Sequence, residues 1–133
     1  MKQFAHSQVS TLLQRLAAQV KRTADVADAD SVHDLRVAIR RLSRALRSFA
    51  QFFPGKQWKR IRRELSNLMD AAAAVRDSDV ALELIERAGA AQRARVALTL
   101  QARRREAEAG LREELQSWQG RGLAREWREA LEL

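Results

Sequence analysis

The chain has 133 residues, of which 46% are hydrophobic, and this length suits a single domain with one core. Its 25 Lys and Arg against 17 Asp and Glu give a net charge of +8, which favours acidic partners such as phosphate polymers or anionic membranes. The absence of cysteine excludes disulfides, thiolate metal sites and catalytic thiols. No signal peptide is recognisable and no apolar run approaches the roughly 18 residues that span a bilayer, so we expect a cytoplasmic protein without a membrane partner.

The first predicted helix covers about residues 3–23 and carries an apolar stripe on one face. That stripe consists of Val9, Leu12, Leu13, Leu16 and Val20. The connection from Ala24 to Asp30 contains three Asp, and we expect Asp30 or Ser31 to cap the following helix by accepting hydrogen bonds from its free N–H groups.

The second predicted helix, which Pro54-Gly55 ends, separates two faces. Its apolar arc consists of Leu35, Ile39, Leu42, Leu46, Phe49 and Phe53. The opposite arc, about 80° wide and roughly 21 Å long, carries no carboxylate; it consists of His33, Arg36, Arg40, Arg44 and Arg47, which we call the Arg ladder. Like charges four residues apart destabilise a helix, and a guanidinium matches phosphate oxygens bidentately. A solvated helix face is the ordinary explanation of a charge run, but this pattern favours a phosphate-rich polyanion.

The third predicted helix starts near Lys56 and buries a stripe headed by Trp58, which we expect to anchor the core. Its first two turns crowd five cations without an acid, although cations oppose the macrodipole at a helix N-terminus. We therefore add Lys56, Lys59 and Arg63 to the candidate anion site.

The segment Arg76-Asp77-Ser78-Asp79 is predicted to interrupt this helix, with a renewed helix from Val80 to about Ala88 and with Arg76 reaching an Asp or a helix end. A fourth helix is predicted over about residues 90–118. Its expected buried side consists of Val96, Leu100, Ala107, Leu111, Leu115 and Trp118. Arg104 is a candidate contributor to the basic surface. Trp127 and Leu131 in the tail are expected to cover one end of the core.

These segments predict an all-α fold, an antiparallel four-helix bundle with long helices and a short C-terminal helix, forming one domain over residues 1–133. Residues 36–63 carry Lys and Arg but no acid, so the positive charge is concentrated. If the second and third helices are neighbours, their basic sides flank a common groove.

The segment Val32-His33-Asp34-Leu35-Arg36-Val37, the Arg residues that follow it, and Val75-Arg76-Asp77-Ser78-Asp79-Val80 together resemble the CHAD family, the conserved histidine α-helical domain. The resemblance covers about residues 5–118 and implies a helical domain that binds inorganic polyphosphate, with enzymes of phosphate metabolism as associated partners. It implies polyphosphate contacts at His33, Arg36, Arg40 and Arg44, with Arg41 and Arg47 as additions. Lys56, Lys59, Arg63 and Arg104 rest on the charge argument alone.

Two features depart from the family pattern. The chain has one copy of the His-Asp-Leu-Arg signature where family members commonly have two bundle repeats, and it has Ala71-Ala72-Ala73-Ala74 where a Gly often precedes the Arg-Asp pair. The missing repeat leads us to expect a homodimer, with the tail of Leu123, Trp127 and Leu131 as its interface. Polyphosphate granules are the expected site of association in the cell.

Two other functional classes compete with polyphosphate binding. A general polyanion or nucleic-acid backbone binder would use the same ladder, but three Trp at core positions, no Tyr and no Gly-rich basic arm leave base stacking and base-edge readout without candidates. An enzyme that cleaves phosphate anhydrides would need carboxylates to hold Mg²⁺, and Glu106 and Glu108 lack a third partner. We therefore predict no catalytic residues, no metal ligands and no cofactor.

Overall fold

The computed structural model describes all 133 residues as helices joined by short connections, with no strand. The five α-helices are α1 (Lys2–Asp25), α2 (Ala29–Ser48), α3 (Gly55–Glu86), α4 (Ala90–Gly120) and α5 (Leu123–Ala130). A short 3₁₀ turn, Ala50–Phe52, precedes Pro54. Consecutive helices pack against each other, and α4 closes the ring on α1, so the predicted antiparallel four-helix bundle is confirmed.

One continuous core fills the bundle, and every helix contributes to it. Its largest fully buried side chains are Leu13, Leu16, Leu35, Ile39, Leu42, Leu46, Ile61, Leu65, Leu111, Leu115, Trp127 and Leu131. Helix α2 ends at Ser48 and not at Pro54 as predicted, because a 3₁₀ turn follows it. It buries Leu35, Ile39, Leu42 and Leu46 of the predicted apolar arc, while Phe49 is half-buried at its C-cap and Phe53 is buried after the turn. The helical period of the sequence therefore fixes which side of α2 faces solvent.

The cap of α2 differs from the prediction. Asp28 is the N-cap residue, and its carboxylate accepts a hydrogen bond from the backbone N–H of Ser31 at 2.8 Å. Ser31 is buried and donates its hydroxyl to the carbonyl of Val26 at 2.6 Å. Asp30 lies in the first turn, where a negative charge complements the helix dipole.

The predicted interruption at Arg76–Asp79 is wrong, because α3 runs unbroken from Gly55 to Glu86. Ser78 donates its hydroxyl to the carbonyl of Ala74, one turn earlier, at 3.0 Å. Asp79 forms an ion pair with Arg104 on α4. Ser78 and Asp79 thus find partners without a break, and the preceding alanines, the strongest helix formers, favour a continuous helix.

The tail packs on its own bundle. Leu123, Trp127 and Leu131 are all buried, as expected for residues that cover one end of the core. The Trp127 ring meets Trp118 edge to face at 5.6 Å, and its Nε1 donates to Glu64 at 2.8 Å. Because these side chains are already covered, the tail cannot supply the dimer interface predicted for it.

The α3–α4 pair extends beyond the other two helices. From Arg76 to Gly110 no residue is buried, although both helices continue through this stretch. The connection between α1 and α2 ends at the level of Asp79 and Arg104, because Arg104 donates to the carbonyl of Ala27 there. The burial predicted for Val96 and Leu100 is therefore wrong, since α1 and α2 are too short to cover them. We call residues 80–103 the projecting hairpin.

Candidate anion-binding groove

The Arg ladder faces solvent along α2. His33, Arg40, Arg44 and Arg47 are exposed, and Arg36 is half-buried. None of the five takes part in any ion pair of the structure. Their mutual repulsion is therefore not relieved within the chain.

A groove of about 220 Å³ runs between α2 and α3 beside this ladder. The lining residues are Ile39, Arg40, Ser43 and Arg47 from α2, with Arg62, Leu65, Ser66 and Met69 from α3. Three guanidinium groups and two hydroxyl groups can donate hydrogen bonds there, whereas no carboxylate lines it. The chemistry of the groove thus suits an anion rich in oxygen acceptors.

Arg62 is a groove residue that the sequence analysis did not select. Its guanidinium lies over the ring of Trp58 at 5.1 Å, and the Trp58 Nε1 in turn donates to the carbonyl of Leu46. A cation above an indole face is held electrostatically, so Arg62 is positioned before any ligand arrives. The i, i+4 spacing of Trp58 and Arg62 was the signal that could have identified it. Trp58 also packs on the core, as predicted.

Two further arginines extend the basic surface toward the start of α2. The Nε of Arg36 is buried and has no hydrogen-bond partner, so it lacks the acceptor that a buried N–H group normally has. By helix geometry, Arg76 lies about 40° from Arg62 around α3, and about 21 Å farther along it. The expectation that Arg76 reaches an Asp or a helix end is wrong, because no ion pair or side-chain hydrogen bond of the structure includes it.

Asp34, the acid next to His33 in sequence, points away from the ladder. Its carboxylate forms an ion pair with Arg22 on α1 at 2.5 Å. This hydrogen bond raises the pKa of Arg22 above its ordinary value. Asp34 therefore leaves the positive charge of the ladder unneutralised.

The structure separates several of the predicted site residues from the groove. Arg41 lines a different depression of about 160 Å³ between α1 and α2, together with Arg15. Lys56, Lys59 and Arg63 are exposed on the outer side of α3, beside the groove but not lining it. They add positive potential near the groove, while Arg41 belongs to the opposite side of α2.

Arg104 does not belong to the basic surface, which corrects the prediction. Its Nε donates to Asp79 at 3.1 Å, and its terminal nitrogens donate to Glu108 at 2.7 Å and to the carbonyl of Ala27 at 2.5 Å. Its side chain is only 17% exposed. Its hydrogen-bonding capacity is taken up by the fold, where it ties the connection between α1 and α2 to α3 and α4.

No group of three or more His, Asp or Glu side chains lies close enough to hold a metal ion. No helix combines the length and the apolar character that crossing a bilayer requires.

Comparison with known families gives one match. The family model described as the CHAD domain matches residues 7–133, which is nearly the whole chain. No curated protein and no solved structure matches the sequence.

Proposed function

Because the chain belongs to the CHAD family, a family of polyphosphate-binding domains, we propose that it binds inorganic polyphosphate in the groove between α2 and α3. The observation that carries the proposal is the row of unpaired cations. Arg40, Arg47 and Arg62 line a groove without a carboxylate, and none of these three makes an ion pair. An anionic chain would relieve their repulsion and accept their hydrogen bonds.

The shape of the surface favours a thin ligand. The ladder residues follow one another at about 6 Å per four residues along α2, so they can meet phosphates at regular intervals along a flexible chain. His33 stands at the start of the ladder and Arg47 at its end, with Arg36, Arg40 and Arg44 between them. We propose these five residues and Arg62 as the direct contacts, and Lys56, Lys59 and Arg63 as long-range contributors.

A nucleic-acid backbone is the alternative ligand, since its phosphodiester groups also offer oxygen acceptors to the ladder. Specific base contacts have little support, because Trp118 and Trp127 are buried and Trp58 is covered by Arg62. Binding to nucleic acid would then be electrostatic and independent of sequence.

The CHAD family is a family of binding domains that are not catalytic by themselves. We propose that this chain likewise binds polyphosphate without cleaving it, and that it brings enzymes of phosphate metabolism to that polymer. On this proposal the protein would follow its ligand to polyphosphate granules in the cytoplasm.

We also propose that the protein acts as a homodimer. Two copies would present two ladders to one polyphosphate chain, and a chain that occupies both would hold the copies together. Such bridging raises the apparent affinity because the second contact becomes intramolecular.

The test compares two double variants that remove the same charge. Arg40→Ala with Arg62→Ala removes two groove arginines, whereas Arg41→Ala with Arg63→Ala removes their sequence neighbours, which lie outside the groove. A hydrogen bond to a charged group contributes about 1.5–3 kcal/mol, so the first variant should bind polyphosphate at least about 100-fold more weakly. Its log–log salt slope should fall by about 1.4, from two contacts at about 0.7 each.

The control variant should lose far less affinity, because it changes only the surrounding potential. Equal losses in both variants would reject the groove and would leave net charge as the explanation. Circular dichroism of both variants should match the parent, because all four side chains lie outside the core.

A further inference from the structure

The projecting hairpin exposes apolar side chains that the bundle does not cover. Leu84 on α3 is 60% exposed and Leu98 on α4 is 74% exposed, whereas Val96, about 200° from Leu98 around α4, is 36% exposed. Helices of this length gain most of their stability from packing an apolar face, and here two of them pack only on each other. Two large apolar side chains this exposed, on a hairpin that the bundle leaves uncovered, offer area that a partner can remove from water.

The charges of the projecting hairpin, and of the residues on α3 and α4 that lead into it, are divided between the two helices. Residues 77–86, at the end of α3, contain Asp77, Asp79, Glu83 and Glu86 and no Lys or Arg. Residues 90–105, at the start of α4, contain five Arg and no acid. Within the chain only Asp79 and Arg104 form an ion pair across the hairpin, so Glu83, Glu86 and the other four Arg are left without a charged partner.

We infer that the projecting hairpin is the interface through which a second copy of this chain binds. A two-fold axis places the acidic end of α3 against the basic start of α4 of the other copy, and it does so twice. The same rotation brings Leu84 and Leu98 of both copies to the centre of the contact, where they are removed from water. The division of charge between the helices makes the surface complementary to itself, and this is why the occupant is a second copy.

This interface rests on the homodimer proposed above and has a consequence for the ligand. The hairpin projects from the end of the bundle at which α2 begins, because Arg104, at the base of the hairpin, donates to Ala27 in the connection that leads into α2. The His33 end of each ladder is therefore nearer the interface than the Arg47 end. Two copies joined in this way align their ladders end to end, so one long polyphosphate chain can pass from one ladder to the other.

The first test measures the oligomeric state of ligand-free protein by sedimentation equilibrium. The parent should have twice the chain mass of 15.1 kDa. Leu84→Ser with Leu98→Ser should raise the dimer dissociation constant at least about 100-fold, since four large apolar side chains per dimer lose their burial. The control is Val26→Ser, which changes an apolar residue that is 58% exposed outside the hairpin, and it should leave the dimer intact.

The second test reverses charge without touching the apolar residues. Glu83→Arg with Glu86→Arg gives a wholly basic hairpin, and Arg93→Glu with Arg95→Glu gives a largely acidic one. Each variant alone should be monomeric, because like charges meet across the axis, whereas an equimolar mixture should form heterodimers.

The outcomes separate this inference from the proposed function. A parent that stays monomeric at high micromolar concentration overturns both the interface and the homodimer, while polyphosphate titration of that monomer still decides the groove. A dimer that survives Leu84→Ser with Leu98→Ser overturns the interface alone. Charge-reversed variants that stay monomeric on mixing would also contradict the two-fold pairing.

Discussion

Replacing Arg104 by Met should destabilise the protein without weakening polyphosphate binding. The change removes a guanidinium that donates to Asp79, to Glu108 and to the carbonyl of Ala27. The largest cost falls on the Asp79 carboxylate, because its side chain is only 16% exposed and its second oxygen already lacks a hydrogen-bond partner. A buried charge that loses its partner is costly, since water cannot replace the lost interaction.

The magnitude follows from the number of contacts and their exposure. Hydrogen bonds to charged groups contribute about 1.5–3 kcal/mol, and breaking a fully buried pair costs about 3–5 kcal/mol. Because this pair is partly exposed and Glu108 keeps Arg112 nearby, we expect a loss of about 2–3 kcal/mol. For a chain of this length that corresponds to a fall in Tm of about 10 °C.

Urea denaturation of Arg104→Met measures this loss, with Arg15→Met as the control. Arg15 on α1 is exposed, has no hydrogen bond or ion pair and lies outside the hairpin, so its replacement should leave the midpoint unchanged. A double-mutant cycle with Asp79→Ala should return a coupling energy of about 1–2 kcal/mol. The reasoning would be refuted if the two Met variants were equally stable and Arg104→Met alone lost affinity for polyphosphate.

Two further predictions concern pH and catalysis. The pKa of Asp28 is lowered because its carboxylate accepts hydrogen bonds from Ser31. The ionised carboxylate therefore stabilises the folded protein at every pH above the ordinary aspartate pKa of about 3.9. This stabilisation is lost as the pH falls through the lower pKa of the folded state. Asp28→Asn keeps the cap but cannot titrate. The urea midpoint of this variant should therefore change less with pH, below about pH 4, than the midpoint of the parent. Identical pH profiles of the two proteins would count against the cap. Incubation with polyphosphate and Mg²⁺ or Mn²⁺ should release no orthophosphate above background, because no carboxylate cluster for a metal exists. Metal-dependent release that Glu106→Gln or Glu108→Gln abolishes would contradict a pure binding function.

The bundle and the exposed ladder could be predicted because both depend on local periodicity. A 3.6-residue period is enough to put Leu35 and Ile39 inside and Arg40 and Arg44 outside, whatever the neighbouring helix. A groove between α2 and α3 could be expected from their basic sides, but its lining could not be predicted, because Arg62 and Arg63 are adjacent in sequence. Only the packing angle between α2 and α3 decides which of the two faces the ladder.

The role of Arg104 and the projecting hairpin depend on distant parts of the chain. Arg104 contacts Asp79 at a sequence separation of 25 residues and Ala27 at a separation of 77, and no sequence pattern predicts contacts at such separations. Val96 lies on a helix long enough to be buried, but burial also requires that α1 and α2 reach its level. How far α1 and α2 extend beside α4 depends on where the connection between them packs on α3 and α4, and this is a property of the tertiary structure.

The central claim is most directly tested by a competition titration of long-chain polyphosphate against duplex DNA and ATP at two salt concentrations. If the groove and the ladder fit a thin phosphate chain, polyphosphate should displace both competitors at matched phosphate concentration, and its affinity should weaken steeply as salt rises. Duplex DNA that binds equally well per unit charge would contradict the account, because the protein would then respond to negative charge alone.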